Sequence, residues 1–142
     1  MKYTFFFFLI PTLFSCANHL EEKEQTIELE YIAWGCDCAN WAQPADIVTY
    51  QEAADTLAKR SVFIEPAVAS LELPDTLGFS GDIIAFTGSF YQRKGFPKGY
   101  SSGEHPDRAR VFRYTSFKIL ESRYKGYKDI LSDTTLITGK GR

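Results

Sequence analysis

Ile83-Ile84-Ala85-Phe86-Thr87-Gly88-Ser89-Phe90-Tyr91 is the stretch on which the fold turns. β-branched and aromatic residues dominate it, and Gly81-Asp82 just ahead supplies a turn. Short, apolar and turn-bounded, it reads as a strand rather than as a segment of helix. Gly88 inside it marks a bulge or a sharp coil where the sheet bends. A strand that bends at its middle belongs to a curved sheet.

Downstream, residues 92–107 form a long connection punctuated by Gly95, Pro97, Gly99, Gly103 and Pro106, and a returning strand is expected over residues 108–121. Phe112 and Tyr114 share one face of it, whereas Phe117 and Ile119 need the other parity. A bulge near Thr115-Ser116 reconciles them. Leu136-Ile137-Thr138 suggests a last edge strand. Upstream, Ile27, Leu29, Tyr31 and Ala33 alternate with Glu28, Glu30, Ile32 and Trp34, the period of a half-buried strand. Residues 61–64 read as a strand ended by Glu65-Pro66, and Leu71-Glu72-Leu73 as another short one. One short helix is expected between them, with Thr49 as N-cap and Glu52 as its capping-box partner. Ala53, Ala54, Leu57 and Ala58 would form its buried stripe, with Lys59-Arg60 at the negative end of its dipole.

These elements predict an α+β, β-dominated domain: a small curved barrel, or a sheet with one short helix. Residues 81–121, with their Gly-Asp turn, glycine-broken strand, long loop and returning strand, resemble the later strands of an OB-fold. That resemblance implies a partly open five-stranded barrel whose loops bind ligands.

The N-terminus carries a different message. Lys2 precedes twelve uncharged residues, 3–14, that include Phe5-Phe6-Phe7-Phe8-Leu9-Ile10. Twelve residues, interrupted by Pro11, are too few for a membrane-spanning helix, which needs about 20; they suit a cleaved export signal. The junction Leu13-Phe14-Ser15-Cys16 resembles the lipobox of bacterial lipoproteins. The resemblance implies cleavage after residue 15 and a diacylglyceryl thioether on Cys16, whose acyl chains together anchor the protein to a membrane. Asn18 in place of Asp favours the outer membrane, with the domain facing the periplasm or the surface. Residues 16–25 then form a lipidated, polar tether too charged to pack, and residues 26–142 a single globular domain. Removing the signal leaves 127 of the 142 residues, enough for one core without a metal or disulfide.

Net charge of −2 hides an asymmetry. Residues 17–82 hold thirteen acidic and three basic residues, whereas residues 91–128 hold ten basic and three acidic. Either the basic half meets an anionic partner, or the halves interleave in one barrel.

Two places have the residues for chemistry. In Trp34-Gly35-Cys36-Asp37-Cys38-Ala39-Asn40-Trp41, Cys36 and Cys38 are the only thiols left once Cys16 is lipidated. Three roles stay open for them: a structural disulfide or packed pair, a redox couple, or a soft-metal site for copper(I) or zinc. Trp34 and Trp41 flank the pair as packing residues or as a ligand platform. In the 92–107 loop, Arg93, Lys94 and Lys98 beside Phe96 and Tyr100 suit an anionic ligand. An exported location favours an anionic glycan, a lipid headgroup or an envelope protein over nucleic acid.

Catalysis has little to stand on. The chain has no Gly-x-Ser-x-Gly elbow, phosphate-binding loop or His-Glu-x-x-His motif. Its histidines are His19 in the tether and His105 in the loop. Neither an enzyme nor a resident cofactor is expected.

Overall fold

The computed structural model describes residues 19–21, 23–74, 77–78 and 81–121. Within them five strands close into a barrel in the order β1-β2-β3-β5-β4. The strands are β1 (Gln25–Tyr31), β2 (Trp41–Ala42), β3 (Val62–Pro66), β4 (Ile83–Phe90) and β5 (Arg110–Glu121). Neighbours run antiparallel except β3 and β5, which pair in parallel from Val62–Arg110 to Pro66–Tyr114. The domain is therefore a small α+β barrel of OB-like form. Among the described residues no helix is long and apolar enough to cross a membrane.

β4 alternates strictly, with Ile84, Phe86, Gly88 and Phe90 buried and the residues between them partly exposed. Leu29, Trp41, Val62, Phe112 and Tyr114 meet them inside the barrel, and Leu71 and Leu77 fill out the same cluster. Trp41 stands edge-on to both Phe86 and Tyr31, with centroids 5.4 and 5.5 Å apart. Burying each large apolar side chain contributes about 1.5–3 kcal/mol, so this aromatic set dominates the stability of the barrel.

Gly88 is where β4 and β5 come closest. A Cβ there would lie 2.1 Å from the carbonyl oxygen of Arg113 and 2.7 Å from the Tyr114 Cα. The ladder shifts register at the same point: Gly88 faces Tyr114 and Thr87 faces Ser116, which leaves Thr115 as the extra residue. The shift turns Phe112 and Tyr114 on one side, and Phe117 and Ile119 on the other, toward the same core. The expected bulge is present.

β3 is covered on both faces. Val62 packs inward and Ile64 lies against the same core, while Phe63 joins Ala39 and Val111 in a second cluster outside the barrel, with Tyr91, Tyr100 and Ala109 against it. Glu65, also on that outer side, is only 7% exposed. A strand buried on both faces reads as a continuous apolar run rather than an alternation.

Several local expectations are corrected. Two helices replace the single one: α1 (Pro44–Tyr50) and α2 (Ala54–Arg60). Pro44 starts α1, where its missing N–H and fixed φ are tolerated. Thr49 therefore lies inside α1, and its hydroxyl donates back to the Ala45 carbonyl at 2.7 Å instead of capping. Ala53 is the N-cap of α2, without a side-chain bond. Residues 65–66 do not end β3, since Pro66 sits at its last rung, where a ladder donor is dispensable. Leu71 closes a 3-10 turn (Ala69–Leu71) rather than opening a strand. The alternation of the first strand stops at Tyr31, and β2 has only two residues, too few to show a period.

The N-terminal segment also departs from a free tether. Leu20 pairs with Tyr91, Glu21 N–H donates to the Phe90 carbonyl at 2.7 Å, and Gln92 N–H to that of His19 at 2.9 Å. Local β-pairing and a Glu21–Arg110 ion pair at 3.0 Å outweigh the polar composition there. The expected export signal, Cys16 and the expected edge strand at Leu136-Ile137-Thr138 lie outside the described residues.

Candidate functional site

The β1–β2 loop (residues 32–40) and the β4–β5 loop (residues 91–109) meet on the side of the barrel where β3 and β5 run parallel. The first is closed on itself: Ile32 N–H donates to the Asn40 carbonyl at 2.7 Å, and the Trp34 indole N–H to that of Ala39 at 2.8 Å. Trp34 thus props the turn that carries the cysteines. Trp41, only 5% exposed, belongs to the barrel core. At the tip, Cys36 and Cys38 form a disulfide with Cα atoms 5.3 Å apart. Cys36 and Asp37 are exposed, whereas Cys38 is half-buried.

Asp37 joins the two loops. Its N–H donates to Glu104 Oε2 at 3.0 Å, its carbonyl accepts the Tyr100 hydroxyl, and its carboxylate accepts the Ser102 hydroxyl at 2.6 Å. The β4–β5 loop is itself tied down. Gly95 and Ala109 bridge across its base, and Glu65 on β3 accepts the Tyr91 hydroxyl at 2.7 Å and the Lys98 N–H at 2.8 Å. Phe96 and Tyr100 stack at 4.8 Å with their planes 8° apart, and both rings lie against Phe63. The aromatic pair expected to receive a ligand is therefore largely spent on holding the loop, although Phe96 keeps 36% of its surface exposed.

Beside this junction lies an open cleft of about 480 Å³ between the disulfide loop, α2 and the base of the β4–β5 loop. Cys38, Lys59, Lys94 and Arg108 line it, with Asp55 and Asp107. Lys59 and Lys94 also line an adjoining cleft of about 380 Å³ that reaches Arg60, Arg110 and the edge of Trp41. Arg60 is paired with Asp46 at 2.7 Å, and Arg110 with Glu21 while lying 3.6 Å over the Phe90 ring. Lys59, Lys94 and Arg108 make no ion pair among the described residues.

Of the residues singled out in the sequence, the structure brings Cys38 and Lys94 to one cleft. Trp34, Phe96 and Tyr100 become its supports. Arg93 and Lys98 are exposed on the loop and do not line the cleft. The sequence does not mark Lys59 and Arg108 as cleft residues, because one reads as a helix-dipole partner and the other as the start of a strand. The cluster of cations at the end of α2 and around the loop was the only signal available. The charge halves interleave in part, through Glu65–Arg113 at 3.6 Å and Glu21–Arg110. Among the described residues no group of three or more His, Cys, Asp or Glu side chains is placed to hold a metal ion. No family model, no curated protein and no solved structure gives a significant match to this chain.

Proposed function

We propose that this chain is a bacterial lipoprotein, held at the outer membrane by acyl chains on Cys16, whose barrel binds an anionic oligosaccharide in the basic cleft. The carrying observation is the convergence of Lys59, Lys94 and Arg108, without ion pairs among the described residues, on one cleft between two loops. The three cations outnumber Asp55 and Asp107 in the lining, which leaves a net positive charge for a ligand, and a concave wall focuses their field. OB-type barrels bind oligonucleotides and oligosaccharides at the corresponding loops. Of these two, a charged glycan is the class that an envelope protein meets.

The junction Leu13-Phe14-Ser15-Cys16 supports the address. Ala17 and Asn18 alone separate Cys16 from His19, whose carbonyl already bonds the barrel. At about 3.5 Å per extended residue, the three steps from Cys16 to His19 keep the start of the β4–β5 loop within roughly 15 Å of the Cys16 backbone.

Titration of the mature protein with a sulfated hexasaccharide tests this reading. Lys59→Glu with Lys94→Glu is expected to weaken binding at low salt by about tenfold or more, a loss of about 1.4 kcal/mol. Added salt is expected to weaken the wild type toward the variant. Equal affinity for a neutral hexasaccharide, tighter binding of single-stranded DNA, or indifference to the double substitution would count against it.

A further inference from the structure

We infer that the Cys36–Cys38 bond is a thiol–disulfide exchange site of fixed polarity, at which a dithiol attacks Cys36 and Cys38 leaves as a thiolate into the basic cleft. This goes beyond glycan binding and does not rest on it.

A bond between residues two apart closes a very short loop. Such a crosslink removes little freedom from the unfolded chain, and the surrounding turn is already closed by the Ile32–Asn40 and Trp34–Ala39 hydrogen bonds. Stability alone gives this disulfide little to do.

The two sulfurs differ in setting. Cys36 is exposed at the tip, and Cys38 is half-buried and lines the cleft. Exchange depends on which sulfur can be reached and on how readily the other departs. Access favours attack at Cys36. Departure favours Cys38, because the leaving sulfur takes the negative charge and nearby Lys and Arg side chains lower a thiol's pKa. Lys59, Lys94 and Arg108 outnumber Asp55 and Asp107 around it. The Asp37 carboxylate, held by the Ser102 hydroxyl, keeps its charge and opposes a thiolate at either sulfur, whereas the cations line the cleft on the Cys38 side.

Asp37 also explains how the pair re-forms. Its N–H is held by Glu104 and its carbonyl by Tyr100, so the main chain between the cysteines stays fixed when the sulfurs part. Two thiols kept on one braced turn close again with little rearrangement.

The chemistry balances. One thiolate of a dithiol, borne by a partner protein, forms a bond to Cys36 Sγ. The Cys36–Cys38 bond breaks and its electron pair leaves on Cys38, which then takes a proton. The second thiol of the partner loses its proton and attacks its own neighbouring sulfur in the mixed disulfide, and Cys36 is released as a thiolate that takes up the second proton. Two electrons and two protons have passed to the cysteine pair, and the partner's dithiol has become a disulfide.

The test uses the oxidised mature protein and glutathione as a monothiol probe, quenched with acid and N-ethylmaleimide and mapped by mass spectrometry. Glutathione is expected on Cys36 and maleimide on Cys38, with a preference of about tenfold or more. Reduction by dithiothreitol is expected to run faster than in an oxidised peptide spanning residues 34–41. Lys94→Gln with Arg108→Gln should slow it about threefold or more, while Lys118→Gln, exposed on another face, leaves it unchanged. Adducts shared equally or found on Cys38, a folded protein slower than the peptide, or isolation with a stoichiometric metal on free thiols would each overturn the proposal.

Discussion

Tyr91 donates its phenolic hydrogen bond to Glu65 at 2.7 Å, across the outer face of the barrel. The other oxygen of Glu65 accepts the Lys98 N–H at 2.8 Å, and the Arg113 guanidinium stands 3.6 Å away. One carboxylate on a strand buried on both sides therefore fixes the start and the middle of the β4–β5 loop. That loop then fixes Asp37 and, through it, the disulfide turn. Burial, and then the bond to the Glu65 carboxylate, hold the Tyr91 hydroxyl above its ordinary pKa.

Glu65→Ala should accordingly loosen the site as well as the fold. It strands the Tyr91 hydroxyl and the Lys98 N–H, and a lost buried partner with its unsatisfied donors costs about 2–4 kcal/mol. Glu65→Gln, which keeps an acceptor, should cost less. Urea unfolding measures the loss, and hydrogen exchange should show faster exchange over residues 95–104 in Glu65→Ala. Unchanged exchange there would mean that the loop is held by other contacts.

Gly88→Ala tests the tightest contact in the barrel. Its Cβ would meet main-chain atoms of Arg113 and Tyr114, which cannot swing aside as a side-chain tip can. Overpacking of this kind costs about 1–3 kcal/mol when the structure yields, and more when backbone must move. The variant should unfold at much lower denaturant or fail to accumulate. Wild-type stability would show that the two strands can separate locally at no cost.

The residues that made the barrel legible are those whose period is long enough to read. Gly88 and the parity change between Tyr114 and Phe117 foretold the bulge, and with it the curvature that closes the sheet. What escaped was short or tertiary in origin. Trp41-Ala42 is a strand only because Tyr31 and Val62 flank it. Thr49 looked like a cap because its capping-box spacing to Glu52 competes with Pro44 and Asp46, the local signals of an earlier start. At the site, the loop aromatics were visible but their partner was not, since Phe63 meets Phe96 only after the chain has folded. The cleft cations lie at residues 59, 94 and 108, which no local pattern connects.

The membrane address is tested apart from the barrel. Cys16→Ser should abolish fatty-acid labelling and move the protein from the membrane fraction to the soluble one. Membrane association of an unlabelled wild type would point to another means of attachment.

Alkaline pH offers a probe of the core through Tyr114. Its ring lies 5.0 Å from Phe86 and 6.2 Å from Phe117, and its hydroxyl donates to the Leu71 carbonyl at 2.8 Å. Burial raises its pKa well above the ordinary 10.0, and the negative charge of Glu72 adds to the shift. Below pH 10 the folded and unfolded chains both keep the proton, so the stability linked to this group is fully present. Above pH 10 the unfolded chain loses the proton while the folded one retains it, and stability falls until the folded value is reached. One such group contributes a slope of about 1.4 kcal/mol per pH unit, and Tyr91 adds to it with the same sign. Tyr114→Phe should therefore be less stable at neutral pH by about 1 kcal/mol, the worth of one hydrogen bond. Between about pH 10 and 12, however, its stability should fall less steeply than that of the wild type by that one-proton slope. Denaturant titrations across that range measure both quantities, and parallel curves for the two proteins would show that Tyr114 reaches solvent before the barrel opens.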